Sequence, residues 1–196
     1  VMIDPRGTRG EIVELGGLRI QLPSKPRDKS KILFSNKPKA EQYWRREPLP
    51  KGCVPSNADA YTEYILEEFR RRREGVWFMN NGKATWLTPW HYMQLQWGKM
   101  RDGDIYPSYR EAQRDLAYHK LACWVDPRCM GQIFLKSRQT GYTYGALNDS
   151  LCVVTSSKNS RTGLTSMTDD DAERAWEKLA YTYQEWPFFF QPVLKG

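Results

Sequence analysis

The chain has 196 residues, 40% of them hydrophobic and 13% aromatic, enough for one buried core with a smaller appendage. Lys+Arg 30 against Asp+Glu 23 leaves a formal charge of +7, which admits an anionic partner without identifying it. Cysteines at 53, 123, 129 and 152 form no C-x-x-C pair and His91 and His119 are the only histidines, which argues against zinc and for free thiols in a reducing compartment. With no signal peptide and no apolar run long enough to span a bilayer, a soluble, intracellular-type protein without a membrane partner is expected.

Residues 1–50 are rich in Pro, Gly, Lys and Arg, with strand-like touches at 18–22 and 32–34. They read as an extended basic arm, solvated or lying on a neighbour, that gives way near residue 55. Residues 56–106 read as helix, aromatic β-hairpin, helix. Ser56 or Asn57 caps the first helix, whose Ala58, Tyr61, Ile65 and Phe69 share one apolar face. Arg70 to Arg73 crowd its last turn as a solvated helix end favoured by the dipole, and Gly75 stops it. Asn80-Asn81-Gly82 supplies the positive φ values of a tight hairpin turn. Thr88 caps and Pro89 opens the next helix, and its Trp90, Met93, Leu95 and Trp97 suit an aromatic mini-core better than the stacking of bases.

From residue 107 onward strands and helices alternate. Pro107 or Ser108 opens a helix with Tyr109, Ala112, Leu116, Leu121 and Trp124 inside, and Asp126-Pro127 stops it. A strand at 133–135, a polar turn and a helix over 144–153 follow. Beyond a flexible connection at 155–161 the pattern predicts a strand at 163–167 and a helix over 169–185 capped by Thr168. That helix has a buried stripe of Ala172, Trp176, Leu179 and Tyr183, and beyond Trp186-Pro187 the phenylalanine run trails away. The alternation implies an α/β layer with parallel strands, of which only about two are present.

The most chemically specific stretch is Lys136-Ser137-Arg138-Gln139-Thr140-Gly141-Tyr142-Thr143, set between the predicted strand and helix. Strand, tight loop and helix start form the frame in which backbone N–H groups converge on a phosphate. Against the standard P-loop pattern, Gly141 and Thr143 stand in their places, Tyr142 occupies the lysine position, and Lys136 occupies the first-glycine position. A P-loop needs a hydroxyl on Mg²⁺, a residue without Cβ near the phosphates and one mobile cation. Thr143, Gly141 and Lys136 meet those needs. A surface turn with ordinary basic residues is the competing reading.

This loop resembles the variant P-loop of large terminase subunits, the ATP-driven DNA-packaging motors of tailed bacteriophages. Some members of that family carry lysine at the loop's start and an aromatic before the final Ser/Thr, and others carry the Ser-Arg-Gln opening. Upstream, Tyr109-Arg110-Glu111-Ala112-Gln113-Arg114-Asp115 is similar to the family motif whose glutamine reads the adenine edge, a task suited to a carboxamide. Downstream, 163–168 with Ala172, then Trp186-Pro187-Phe188-Phe189, resembles the family's next strand, helix and Pro-aromatic turn.

The resemblance spans roughly residues 87–196. It implies that 107–196 are the first part of a RecA-like P-loop ATPase core, cut before Walker B, binding ATP and Mg²⁺. By it Lys136 neutralises the β/γ-phosphates, Thr143 holds Mg²⁺, and the loop around Ser137, Gln139, Thr140, Gly141 and Tyr142 cradles the phosphates. Gln113 reads the base. Arg138 stabilises the γ-phosphate, with a structural salt bridge as its alternative role. The implied partners are double-stranded DNA, a portal protein, a small terminase subunit and further copies in a ring, in the host bacterial cytoplasm at the procapsid portal. The alternative is a non-catalytic nucleic-acid-binding or capsid-associated module using the basic arm and aromatic hairpin. Asp169-Asp170-Asp171 read as acids favoured by a helix N-terminus rather than as metal ligands.

Overall fold

The computed structural model describes residues 10–15, 17–36, 43–135 and 141–192. Among them the chain is mixed α/β and divides into two compact units that interleave along the sequence. The first draws on Val1–Arg45, Glu74–His91 and Ser108–Thr140, the second on Arg46–Arg73, Tyr92–Pro107 and Gly141–Gly196.

The first unit is built on two antiparallel hairpins. β1 (Ile12–Leu15) pairs with β2 (Leu18–Gln21), closed through Gly17 at φ 81°. β3 (Val76–Asn80) pairs with β4 (Lys83–Leu87) around Asn81 and Gly82, both at positive φ as the Asn-Gly pair predicts. Leu33 adds a single parallel bridge to Phe78, its N–H donating to the Trp77 carbonyl and its own carbonyl accepting from Met79. Gly75, at φ 72°, enters the hairpin so closely that a Cβ there would lie 2.2 Å from the Leu87 carbonyl oxygen. Only glycine fits.

Helix α3 (Glu111–Val125) packs against β2 and lays Tyr118 over Trp86, rings 5.9 Å apart. Around that pair gather Ile20, Leu22, Ile32 and Trp77, all buried. The expected arm therefore supplies three residues of a hydrophobic core: its short apolar touches bury against hairpin aromatics that lie far along the chain. α3 also starts later than the sequence suggests, because Tyr109 is buried ahead of it and Arg110 is extended. Trp124, expected inside, is 68% exposed and meets Trp90 edge-on.

In the second unit α1 (Thr62–Glu74) follows a kinked 3-10 turn over Pro55–Tyr61. Its buried positions are Glu68 and Arg72, not the expected apolar face, and Phe69 stays 42% exposed. α2 (Pro89–Trp97), which belongs to this unit only from Tyr92 onward, opens as predicted, with Thr88 Oγ1 accepting from the His91 N–H, and is buried on every side from His91 onward. Its polar residues consequently need partners. Gln96 exchanges two hydrogen bonds with the backbone of Glu47, and its carbonyl accepts from Arg46.

α4 (Tyr142–Ser156) packs against α5 (Asp169–Gln184), which Thr168 caps by accepting from the Asp171 N–H. On α5 Leu179 and Thr182 are buried while Trp176 is 62% exposed. The phenylalanine run does not trail away. It forms a 3-10 turn, Phe188–Phe190, whose Phe189 and Phe190 meet Phe69.

Arg72, expected at a solvated helix end, is instead buried. Its guanidinium donates to Thr155 Oγ1, to Ser156 Oγ at 2.9 Å and to the Cys152 carbonyl at 3.5 Å, and lies over the rings of Trp186 and Phe190. A cation there satisfies the C-terminal groups of α4 and opposes the negative end of its dipole. Arg72→Ala is expected to cost about 2–4 kcal/mol of stability, with Arg72→Met recovering the packing share only. Urea-unfolding midpoints check this. A loss under about 0.5 kcal/mol would place the guanidinium in solvent instead.

Among the described residues the parallel layer expected from residue 107 onward is not formed. Residues 133–135 and 163–167 have no strand partner among the described residues, and Ile133 and Leu135 are more than nine-tenths exposed. A three-residue apolar run becomes a strand only when a neighbouring edge accepts its hydrogen bonds.

Candidate functional site

The described part of the predicted phosphate loop is the head of α4. Lys136, Ser137, Arg138, Gln139 and Thr140 lie outside the described residues. Gly141 sits at φ 73°, ψ 7°, the left-handed conformation in which a residue without Cβ is favoured. As a glycine it supplies no side-chain cap to the first turn. Thr143 is exposed in that turn and Tyr142 is half-buried, its phenol pushed up in pKa by burial and then by Asp149.

What holds this helix start in place is legible in the packing. Tyr144 accepts a hydrogen bond from the Asp102 N–H at 3.1 Å and lies under the Lys178 ammonium, which pairs with Asp102 at 2.7 Å. Gly145 rests on Gln94, where a Cβ would come within 3.4 Å of the carboxamide. One turn on, Leu147, Asn148, Leu151 and Cys152 are buried, so α4 is anchored by its middle while its first turn keeps an exposed hydroxyl. A hard oxygen donor in the first turn of a helix fits a magnesium-bound phosphate chemically.

Gln113 belongs to the first unit, in the first turn of α3, half-buried, with its N–H donating to the Arg110 carbonyl. In the same unit the structure assembles a polar cluster that the sequence did not announce. The Tyr109 hydroxyl accepts from Asn80 Nδ2 at 3.4 Å and from Arg114 at 3.5 Å, and His91 stacks on the Tyr109 ring at 6.0 Å. His91 is 3% exposed and neither ring nitrogen has a hydrogen-bond partner among the described residues. Burial, and then the neighbouring Arg114 charge, push its pKa down to about 3, so the imidazole is neutral at physiological pH. The only signal of this cluster in the sequence was Asn80 beside a hairpin turn and a histidine after a helix-opening proline.

The acids at the head of α5 play the structural part expected of them. Asp171 Oδ2 accepts from Thr168 Oγ1, and among the described residues no group of three or more His, Cys, Asp or Glu is placed to hold a metal ion. All four cysteines are free thiols. No helix of the described residues is long and apolar enough to cross a membrane. Compared with family models, with characterised proteins and with solved structures, the chain matches none of them.

Proposed function

We propose that this chain is the ATP-binding portion of a viral DNA-packaging motor of the large-terminase type. In that role it couples ATP hydrolysis to translocation of double-stranded DNA into a procapsid. The observation that carries the reading is the junction at Gly141. A loop sequence with lysine at its start and threonine at its end runs directly into α4, whose first turn has a left-handed glycine, no side-chain cap and an exposed Thr143. ATP with Mg²⁺ would supply the transferable phosphoryl group and the charge that offsets its oxygens. In this reading the first-turn N–H groups of α4 would hold phosphate oxygens, the Thr143 hydroxyl would serve as a metal ligand, and Lys136 would neutralise the β/γ-phosphates. Arg138 offsets charge on the transferring group, and Gln113 holds the base edge. Double-stranded DNA, portal, small subunit and a ring of further copies are the corresponding partners, in the host cytoplasm at the procapsid portal. A RecA-like core is part of the same proposal, and it asks 133–135 and 163–167 to find strand partners that the described residues do not offer.

The competing reading, a non-catalytic nucleic-acid-binding module, leaned in part on the aromatic hairpin. Trp77, Phe78 and Trp86 are buried, so the hairpin presents none of these three rings for bases to stack on.

Binding of a fluorescent ATP analogue with Mg²⁺ tests the proposal. Lys136→Ala is expected to weaken binding by about tenfold or more, the worth of one charge-assisted contact to phosphate, while Tyr142→Ala leaves it within about twofold. A folded chain that binds no nucleotide, or that loses binding equally in both variants, would sink the assignment.

A further inference from the structure

The last two turns of α3 and the segment after it run back along each other, and this brings two cysteines together. Asp126 caps the helix through its N–H to the Ala122 carbonyl, and the Cys129 N–H returns to the Asp126 carbonyl at 3.0 Å, closing a turn. Three residues on, Gln132 Nε2 reaches His119, lying 3.0 Å from its ring Nδ1 and 3.3 Å from its carbonyl oxygen. With the reversal at 126 and the 132-to-119 contact fixed, residue 129 falls beside residue 123. Cys123 and Cys129 accordingly line one surface pocket of about 360 Å³ with Leu18, Ala122, Asp126 and Arg128. Both are partly exposed, whereas Cys53 and Cys152 are buried. Burial raises the pKa of Cys123, a hydrogen bond from Gln132 lowers it, and the adjoining Cys129 thiol raises it again, with a net upward shift.

We propose that Cys123 and Cys129 form a reversible intramolecular disulfide, a modification site whose co-reactant is a low-molecular-weight disulfide such as oxidised glutathione. One protein thiol gives its proton to solvent, and its thiolate attacks the glutathione disulfide, displacing one glutathione thiolate. The second protein thiolate then attacks the protein sulfur of that mixed disulfide and displaces the other. Two protein thiols are oxidised to one S–S bond, and one glutathione disulfide is reduced to two thiols. Metal capture is not the favoured chemistry of this cluster: His119 Nδ1 lies 3.7 Å from Cys123 Sγ, but among the described residues no group of three or more His, Cys, Asp or Glu is placed to hold a metal ion. The bond would tie 129 to α3 and so restrain the stretch 129–132, through which the chain leaves the helix. The inference stands independently of the nucleotide-binding reading.

The experiment is oxidation of the folded full chain with excess oxidised glutathione, then alkylation and non-reducing tryptic mapping. Trypsin cuts after Lys120, Arg128 and Lys136, so the two cysteines fall on separate peptides, 121–128 and 129–136. The expected product is that peptide pair joined by a bond that a reductant cleaves, with the intact chain lighter by about 2 Da. Cys123→Ser and Cys129→Ser should each divert the remaining thiol to a glutathione adduct about 305 Da heavier. Separate adducts on 123 and 129 in the unsubstituted chain, no reaction at either, or a crosslink through Cys53 or Cys152 would each overturn the proposal.

Discussion

Replacing Glu68 by alanine is expected to lower the stability of the protein by about 3–5 kcal/mol, the cost of removing one partner from a buried, charged hydrogen-bond network. Glu68 is 1% exposed and sits mid-helix on α1. Its Oε2 accepts from the Tyr92 hydroxyl at 2.6 Å and from the Trp97 indole at 2.9 Å, and its Oε1 accepts from Arg71 at 2.9 Å. Tyr92 and Trp97 lie on α2, a helix buried on all sides along this stretch, so the carboxylate satisfies two donors that have no water to turn to. The same environment drives the Tyr92 phenol well above its ordinary pKa, through burial and then the Glu68 charge. Alanine strands both donors and leaves the Arg71 guanidinium without that acceptor. Glu68→Gln, which keeps an acceptor oxygen but not the charge, should lose only about 1–2 kcal/mol. Urea unfolding followed by tryptophan fluorescence measures both variants. If alanine costs less than glutamine, the carboxylate is a burden rather than a tie, as buried ion pairs sometimes are.

A second large effect is a pH dependence carried by His91. In the unfolded chain this histidine takes up a proton near pH 6.5, whereas in the folded protein its pKa lies at about 3. Between those values the unfolded state binds more protons, so acid favours unfolding. The contribution is fully present above pH 6.5, falls by about 1.4 kcal/mol for each unit below it, and stops changing below about pH 3. The facing groups, Arg114 and the Tyr109 phenol, act in the same direction or stay neutral over this range, and neither offers the imidazolium an acid partner. His91→Gln removes the titration. The stability difference between the two chains should therefore shift by about 3 kcal/mol in the variant's favour between pH 6.5 and about pH 4. Parallel curves over that window would show that His91 is protonated in the folded state.

Much of the local architecture was legible in the residues. Asn80-Asn81-Gly82 specified a hairpin because only such residues take two positive φ values in succession. Thr88-Pro89 and Thr168 specified helix starts because each helix leaves N–H groups that a hydroxyl can satisfy. Gly75, Asp126 and Trp186-Pro187 marked ends that the structure keeps. For the candidate site, the sequence placed Gly141 in the turn ahead of a helix over 144–153; α4 in fact runs Tyr142–Ser156, with Gly141 at its cap position in a left-handed backbone. Where the reading failed, it failed on partners. Ile65 and Phe69 carry a helical apolar spacing, yet the buried face of α1 is Glu68 and Arg72, because Tyr92, Trp97, Thr155 and Ser156 offered hydrogen bonds there.

The sequence by itself determined the Asn-Gly turn, the caps at Thr88 and Thr168 and several helix ends, since these depend on the φ/ψ preferences and short-range hydrogen bonds of a few consecutive residues, whereas α1, α3 and α4 start away from the positions it suggested. The tertiary structure alone decided which charges are buried, which tryptophans face water, and that Ile20, Leu22 and Ile32 of a polar-looking arm join Trp77, Trp86 and Tyr118 in one core. It also decided that the apolar triplet before the phosphate loop has no strand partner among the described residues. Burial and strand pairing depend on groups far away in the chain, and no local pattern encodes where those groups arrive.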